Sequence, residues 1–180
     1  MSSTRFISLF YLLMAVVGIG LVEWRKESFA TDPLALPGEN WFFALLVTAW
    51  LVAIVHLLSR LAHAKLRSLQ HGGRDLQRIL GNVTTGQIAV IALMSGIGEE
   101  ILFRGWLYHE TGLWASSIIF GLVHVPPNRK WLYWPIFATA MGIAFGWIYD
   151  WSGSLLFPIL LHAGINFLNL RTLLKKASQG

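Results

Sequence analysis

Six apolar stretches, divided by short polar segments, set the pattern of this chain: residues 6–22, 41–58, 86–109, 113–125, 131–149 and 154–170. Most approach the length of about 20 residues that a helix needs to cross a hydrocarbon core of about 30 Å. The fourth is short and stops at Pro126-Pro127, and the sixth carries Pro158 in its first turns. Between the first two lies a turn-rich loop with Pro33, Pro37 and Gly38. Residues 60–78 are polar and basic and are broken by Gly72-Gly73, and their leading part, residues 57–69, is expected to lie on the membrane surface as an amphipathic helix. In the fifth stretch Ala138, Gly142 and Gly146 recur every four residues, a spacing that lets helices approach closely. The pattern predicts an all-α, polytopic membrane bundle of about six helices. With no repeat, linker or low-complexity segment, residues 1–180 read as a single domain.

Composition sharpens this picture. Hydrophobic residues make up 55% and charged ones 13%, against about 25% charged in a soluble domain. The chain has no Cys, so no disulfide framework and no thiolate zinc site is available. A net charge of +5 invites thoughts of nucleic acid, but the basic residues sit in short loops between the apolar stretches, where they set topology instead. With the N-terminus inside, the cytoplasmic side collects eleven Lys and Arg (Arg5, Arg60, Lys65, Arg67, Arg74, Arg78, Arg129, Lys130, Arg171, Lys175 and Lys176) and the outer side only Arg25 and Lys26. The positive-inside rule then places both termini in the cytoplasm. The first stretch follows Arg5 and could pass for a signal peptide. The charged run from Glu23 to Glu27 parts it from the nearest small-residue site, Ser28-Phe29-Ala30, so a retained helix is expected. Trp24, Trp41, Trp131, Trp134 and Trp151 fall near span ends, where interfacial anchors belong.

The third stretch holds Glu99, Glu100 and Arg104 at a depth where a charge is costly. Glu100 and Arg104 are i and i+4, acid first, and can pair along one helix face. Glu99 points about 100° away and needs a partner elsewhere. Three later polar residues qualify: His124, which shares a face with Phe120, and His162 with Asn166, again i and i+4. Counted at about 1.5 Å per residue from the outer ends of their spans, Glu99, His124, His162 and Asn166 reach nearly one level. A carboxylate and an imidazole sharing a water make a general-base pair, and a second imidazole with an amide can donate to an oxyanion. Hydrolysis of an amide inside the membrane is the chemistry this suggests. Glu99, His124 and His162 are also a possible Zn²⁺ ligand set, and the residues alone leave both versions open. His109-Glu110 begins like a zinc-protease helix, but Leu113 stands where the second His is required. Ser95 lacks the preceding glycine of an intramembrane serine-protease motif, and His56, His63 and His71 read as solvated.

Taken in order, Glu99-Glu100-x-x-x-Arg104, Phe120-x-x-x-His124 and His162-x-x-x-Asn166 resemble the three-motif signature of the CPBP (Abi) intramembrane proteases, relatives of the type II CAAX prenyl endopeptidases. The resemblance covers residues 86–170, about half of the chain. It implies a glutamate-type endopeptidase in which Glu99 and His124 activate water, His162 and Asn166 hold the oxyanion, and Glu100, Arg104 and Phe120 support them. It also implies a bacterial inner membrane and a membrane-embedded or lipid-anchored polypeptide substrate, such as a CAAX-like or C-terminal sorting signal. No cofactor other than a possible zinc ion is expected. Larger members of the family have eight spans. The alternative reading is a non-enzymatic membrane protein, a proton-coupled carrier or an immunity-type binding partner, in which the same residues relay protons or hold structure.

Overall fold

The computed structural model describes residues 3–24, 40–65, 72–125 and 133–177. The loop around Pro33, Pro37 and Gly38, His71, and the Pro126-Pro127 stop with Arg129 and Lys130 lie outside them. The elements are α1 (Ser3–Trp24), α2 (Trp41–Lys65), α3 (Gly72–Leu80), α4 (Thr85–Glu100), a π-helical segment (Ile101–Leu107), α5 (Tyr108–Val123), α6 (Tyr133–Ser152) and α7 (Leu156–Ala177). No strand occurs among the described residues. The protein is a polytopic helical bundle.

Four helical stretches are long and apolar enough to cross a membrane: Ser3–Trp24, Trp41–Lys65, Thr85–Val123 and Leu156–Lys175. The 39 residues of Thr85–Val123 would run to about 58 Å if straight, nearly twice the hydrocarbon core of about 30 Å. They bend back at Gly112, whose φ of 76° and ψ of 177° only glycine adopts without strain. The third and fourth apolar stretches are therefore two arms of one hairpin. α6 also has the length of a span, 20 residues.

α1 and α2 leave Leu13, Val16, Leu46 and Trp50 exposed on their outer faces, the arrangement of helices that meet lipid rather than water. Inside, α4 packs between α1 and α7, α2 backs α7, and α6 lies along α5. The small-residue stripe on α6 works as its spacing suggests. A Cβ on Gly142 would come within 3.1 Å of Ser117, and one on Gly146 within 2.4 Å of Leu113 Cδ1. Gly121 on α5 is tighter still, with a Cβ there falling 1.9 Å from Thr139 Oγ1. Buried Phe103, Phe120, Phe145, Phe157 and Leu161 form the core that these close approaches enclose.

Two local expectations change, and the start of α4 gains a cap. The surface helix lies not at residues 57–69 but at Gly72–Leu80, starting on the glycine pair expected to break it, because Leu76, Ile79 and Leu80 share one stripe at i, i+3 and i+4. Residues 57–65 continue α2, and residues 66–69 lie outside the described part. The Asn82-Val83-Thr84 sequence serves α4: Thr84 Oγ1 accepts from the Gln87 amide at 3.2 Å, and Gln87 Oε1 accepts from the Thr84 amide at 2.8 Å, a capping box. His56 is not simply solvated. Its Nδ1 lies 2.9 Å from Asn169 Oδ1, and Asn169 donates to Ser59 Oγ at 3.3 Å, tying α2 to α7.

Candidate active site

Glu99 and Glu100 occupy the last turn of α4, where the helix widens into the π-helical turns of Ile101–Leu107. Such widened turns are rare and gather at functional sites. Both carboxylates are buried, Glu99 at 5% exposure and Glu100 at 0%. Glu100 Oε1 accepts from Arg104 Nη1 at 3.1 Å, so the pair expected at i and i+4 forms. Arg104, 1% exposed, also donates from Nη2 to the Gly142 carbonyl at 2.8 Å. Its guanidinium lies over the rings of Phe120 and Phe145, at 4.7 and 5.2 Å. The charge is thus hydrogen-bonded and borders two aromatic rings set edge to face, which offsets the cost of its burial.

Glu100 does more than pair with Arg104. The same Oε1 lies 2.7 Å from His162 Nδ1. An ionised carboxylate only accepts, so this nitrogen carries a proton and His162 turns Nε2 toward the opposite side. There Nε2 lies 3.9 Å from Glu99 Oε2. The imidazole is stacked on Phe145, with centroids 4.8 Å apart and planes at 15°.

His124 is held by the same logic. Its Nδ1 lies 2.6 Å from the Phe120 carbonyl, an obligate acceptor, so Nδ1 is protonated and Nε2 faces Glu99 Oε2 at 3.6 Å. Phe120 therefore contributes a backbone acceptor and a ring, centred 4.6 Å from the imidazole. Glu99 Oε2 is buried and has no hydrogen-bond partner. When both imidazoles are neutral, three acceptor atoms converge on one gap slightly wider than a hydrogen bond. Such a gap suits a donor: a water molecule or one added proton.

Asn166 stands one turn beyond His162 and donates Nδ2–H to Ser95 Oγ at 2.9 Å. Ser95 uses its own proton on the Ala92 carbonyl at 3.0 Å, so its oxygen can only accept from Asn166, which fixes the amide orientation. One Nδ2–H remains for another acceptor. Glu99, His124, His162 and Asn166 all line a single cavity of about 500 Å³. The remaining walls are mostly apolar, with Phe10 of α1, Leu76 of α3 and Phe137 of α6 among them and Tyr11, His63, Ser95 and Asn169 as further polar lining. The sequence brought these four residues to one level; the fold brings them to one cavity. Among the described residues no group of three His, Asp or Glu side chains has the arrangement of a formed metal site.

Sequence reasoning missed two members. Ser95 was set aside as a nucleophile, yet it orients Asn166. Tyr11 of α1 lines the cavity and its hydroxyl hydrogen-bonds Glu99. No local spacing links α1 to the three motifs, so the Tyr11 contact carried no sequence signal, whereas Ser95 sits four residues before Glu99 on the same helix face, a spacing that could have drawn it in.

Fold and site together define a polytopic helical membrane protein with a carboxylate–imidazole cluster buried in its bundle. Residues 81–168 match the family model described as type II CAAX prenyl endopeptidase Rce1-like, and all three motifs fall within that segment. Over this segment the chain is similar to that family, the CPBP group that its motifs resemble. It is 32% identical over 113 residues to the "Uncharacterized protein YpbD" of Bacillus subtilis (strain 168), covering 62% of this chain and 59% of that one. It is 36% identical over 87 residues to the "Putative membrane peptidase YdiL" of the same organism, covering 44% and 34%. "RHOMBOID-like protein 2" of Arabidopsis thaliana is 30% identical over 122 residues, covering 67% and 33%. The chain thus spans between a third and three-fifths of the length of the curated relatives it matches. No solved structure matches it.

Proposed function

We propose that the protein is an intramembrane endopeptidase of the glutamate type, hydrolysing a peptide bond in a membrane-embedded or lipid-anchored polypeptide. The observation that carries this reading is the gap bounded by Glu99 Oε2, His124 Nε2 and His162 Nε2. A water there donates one hydrogen to Glu99 and the other to His124, leaving a lone pair for the scissile carbonyl. As its oxygen attacks the carbonyl carbon, a water proton passes to the carboxylate–imidazole pair and the C–O bond forms. The carbonyl electrons move onto oxygen, where the free Nδ2–H of Asn166 stabilises them. His162 joins that role only as an imidazolium, because its neutral form spends its single proton on Glu100. Collapse of the intermediate breaks the C–N bond, and the proton held at Glu99 or His124 goes to the leaving amine.

The reading requires no metal. It is tested with the purified protein in liposomes and quenched-fluorescence peptides bearing a C-terminal prenylated cysteine, an acyl chain or no lipid. Cleavage is expected for an anchored peptide and should persist after exhaustive chelation. Asn166→Ala is expected to retain a trace of activity, slowed by about 10²–10³, the usual cost of one oxyanion donor. Loss on chelation with recovery on zinc would instead make Glu99 and the histidines ligands.

In this reading residues 1–180 act as one membrane domain with its catalytic core in residues 86–170. The reading also places the protein in a bacterial inner membrane with both termini in the cytoplasm, an orientation supported by eleven inner against two outer basic residues. The parent has no Cys, so single-cysteine labelling reads the topology directly. An impermeant thiol reagent applied to intact cells is expected to modify Ser28→Cys and to spare Gly72→Cys. The opposite pattern inverts the orientation and the side from which substrate enters.

A further inference from the structure

The three motifs lie on α4, α5 and α7, yet the catalytic carboxylate is touched by a fourth helix outside the segment shared with the family. α1 crosses α4 at very short range. A Cβ on Gly98 would fall 2.4 Å from the Tyr11 carbonyl oxygen, and one on Gly18 3.0 Å from the Leu102 amide. Glycine at both crossings lets the backbones meet, and it brings Tyr11, partly buried, into the wall of the active-site cavity beside Glu99. The Tyr11 hydroxyl is hydrogen-bonded to the Glu99 carboxylate. Glu99 Oε2, which faces the two imidazoles, is the oxygen without a partner.

We infer that Tyr11 is a positioning residue for the reaction: its hydroxyl anchors one side of the Glu99 carboxylate so that Oε2 stays turned toward His124 and His162, and α1 is thereby an essential wall of the site. This deepens the proteolytic reading and rests on it. A carboxylate at a helix end has two rotatable bonds beyond Cβ, and no other hydrogen bond to Glu99 is present among the described residues. Without Tyr11, rotation would carry Oε2 out of the gap for part of the time. Turnover would then fall while substrate binding, which uses the apolar walls, would not.

The test is Tyr11→Phe, which removes the hydroxyl and keeps the ring, compared with Glu99→Gln in the full chain in liposomes. On the anchored peptide that the parent cleaves, Tyr11→Phe is expected to lower kcat by about ten- to a hundred-fold, the range for losing a hydrogen bond to a charged group. KM and thermal stability are expected to hold. A readout independent of turnover is the infrared carboxylate stretch of Glu99, assigned by its loss in Glu99→Gln; it is expected to shift in Tyr11→Phe. An unmoved band or unchanged kcat would overturn the inference while leaving the protease reading intact. A raised KM or a drop in stability with kcat unchanged would also overturn it, leaving Tyr11 a packing residue. Full cleavage by Glu99→Gln would instead remove the glutamate-type mechanism on which it rests, and absence of cleavage of every anchored peptide by the parent would remove the protease reading itself.

Discussion

Glu99→Gln is expected to abolish peptide cleavage and leave the protein folded. The change is nearly isosteric and keeps an oxygen to accept from Tyr11, so the packing of α1 on α4 is preserved. What goes is the basicity of the atom facing His124 and His162 at 3.6 and 3.9 Å. A positioned general base contributes about 10²–10⁴ in rate. Here Glu99 also orders the water, so the loss is expected at or beyond the upper end of that range. The measurement pairs turnover of an anchored peptide with thermal unfolding of the same preparation. A Glu99→Gln protein with parental turnover would take this carboxylate out of the chemistry. His124→Ala should match it, because the water then loses its second acceptor.

Arg104→Ala is expected to produce the largest loss of stability. Arg104 and Glu100 are 1% and 0% exposed and 3.1 Å apart, with the guanidinium also bonded to the Gly142 carbonyl. Truncation strands the Glu100 charge in a low-dielectric interior and empties the space beside the Phe120 and Phe145 rings. Breaking a buried pair in this way typically costs about 3–5 kcal/mol. Replacing both members, Glu100→Gln with Arg104→Gln, removes the charge imbalance and is expected to recover part of the folded yield. It should not recover activity, since His162 loses the ionised acceptor that sets its orientation. Equal thermal stability of Arg104→Ala and the parent would refute this account of the pair.

Relations within a helix were legible before any coordinates. Glu100 with Arg104, Phe120 with His124, and the shared face of His162 and Asn166 follow from a period of 3.6 residues, and each appears in the structure in some form. The membrane class was legible because the bilayer imposes a length and an apolarity on each span. The small-residue stripe on α6 announced a close crossing, which Gly142 and Gly146 make with α5. Less local features were misplaced. The amphipathic helix moved to Gly72–Leu80, where the stripe of Leu76, Ile79 and Leu80, anchored by buried Leu80, outweighs the low helix propensity of two glycines.

The chain by itself determined that charged groups lie within an apolar bundle, which of them can pair along one helix, and that four candidate residues reach a similar depth. These follow from local geometry and from the cost of placing charge in hydrocarbon. Only the tertiary structure decided which atoms face which. His162 gives its Nδ1 to Glu100 across 62 residues, Asn166 takes Ser95 across 71, and Tyr11 reaches Glu99 from a helix without a motif. Such contacts depend on how far apart helix axes lie and how each helix is rotated. Both are set by where glycines let backbones touch and where Phe120 and Phe145 fill the space between, and neither quantity is written in the spacing of residues along one helix.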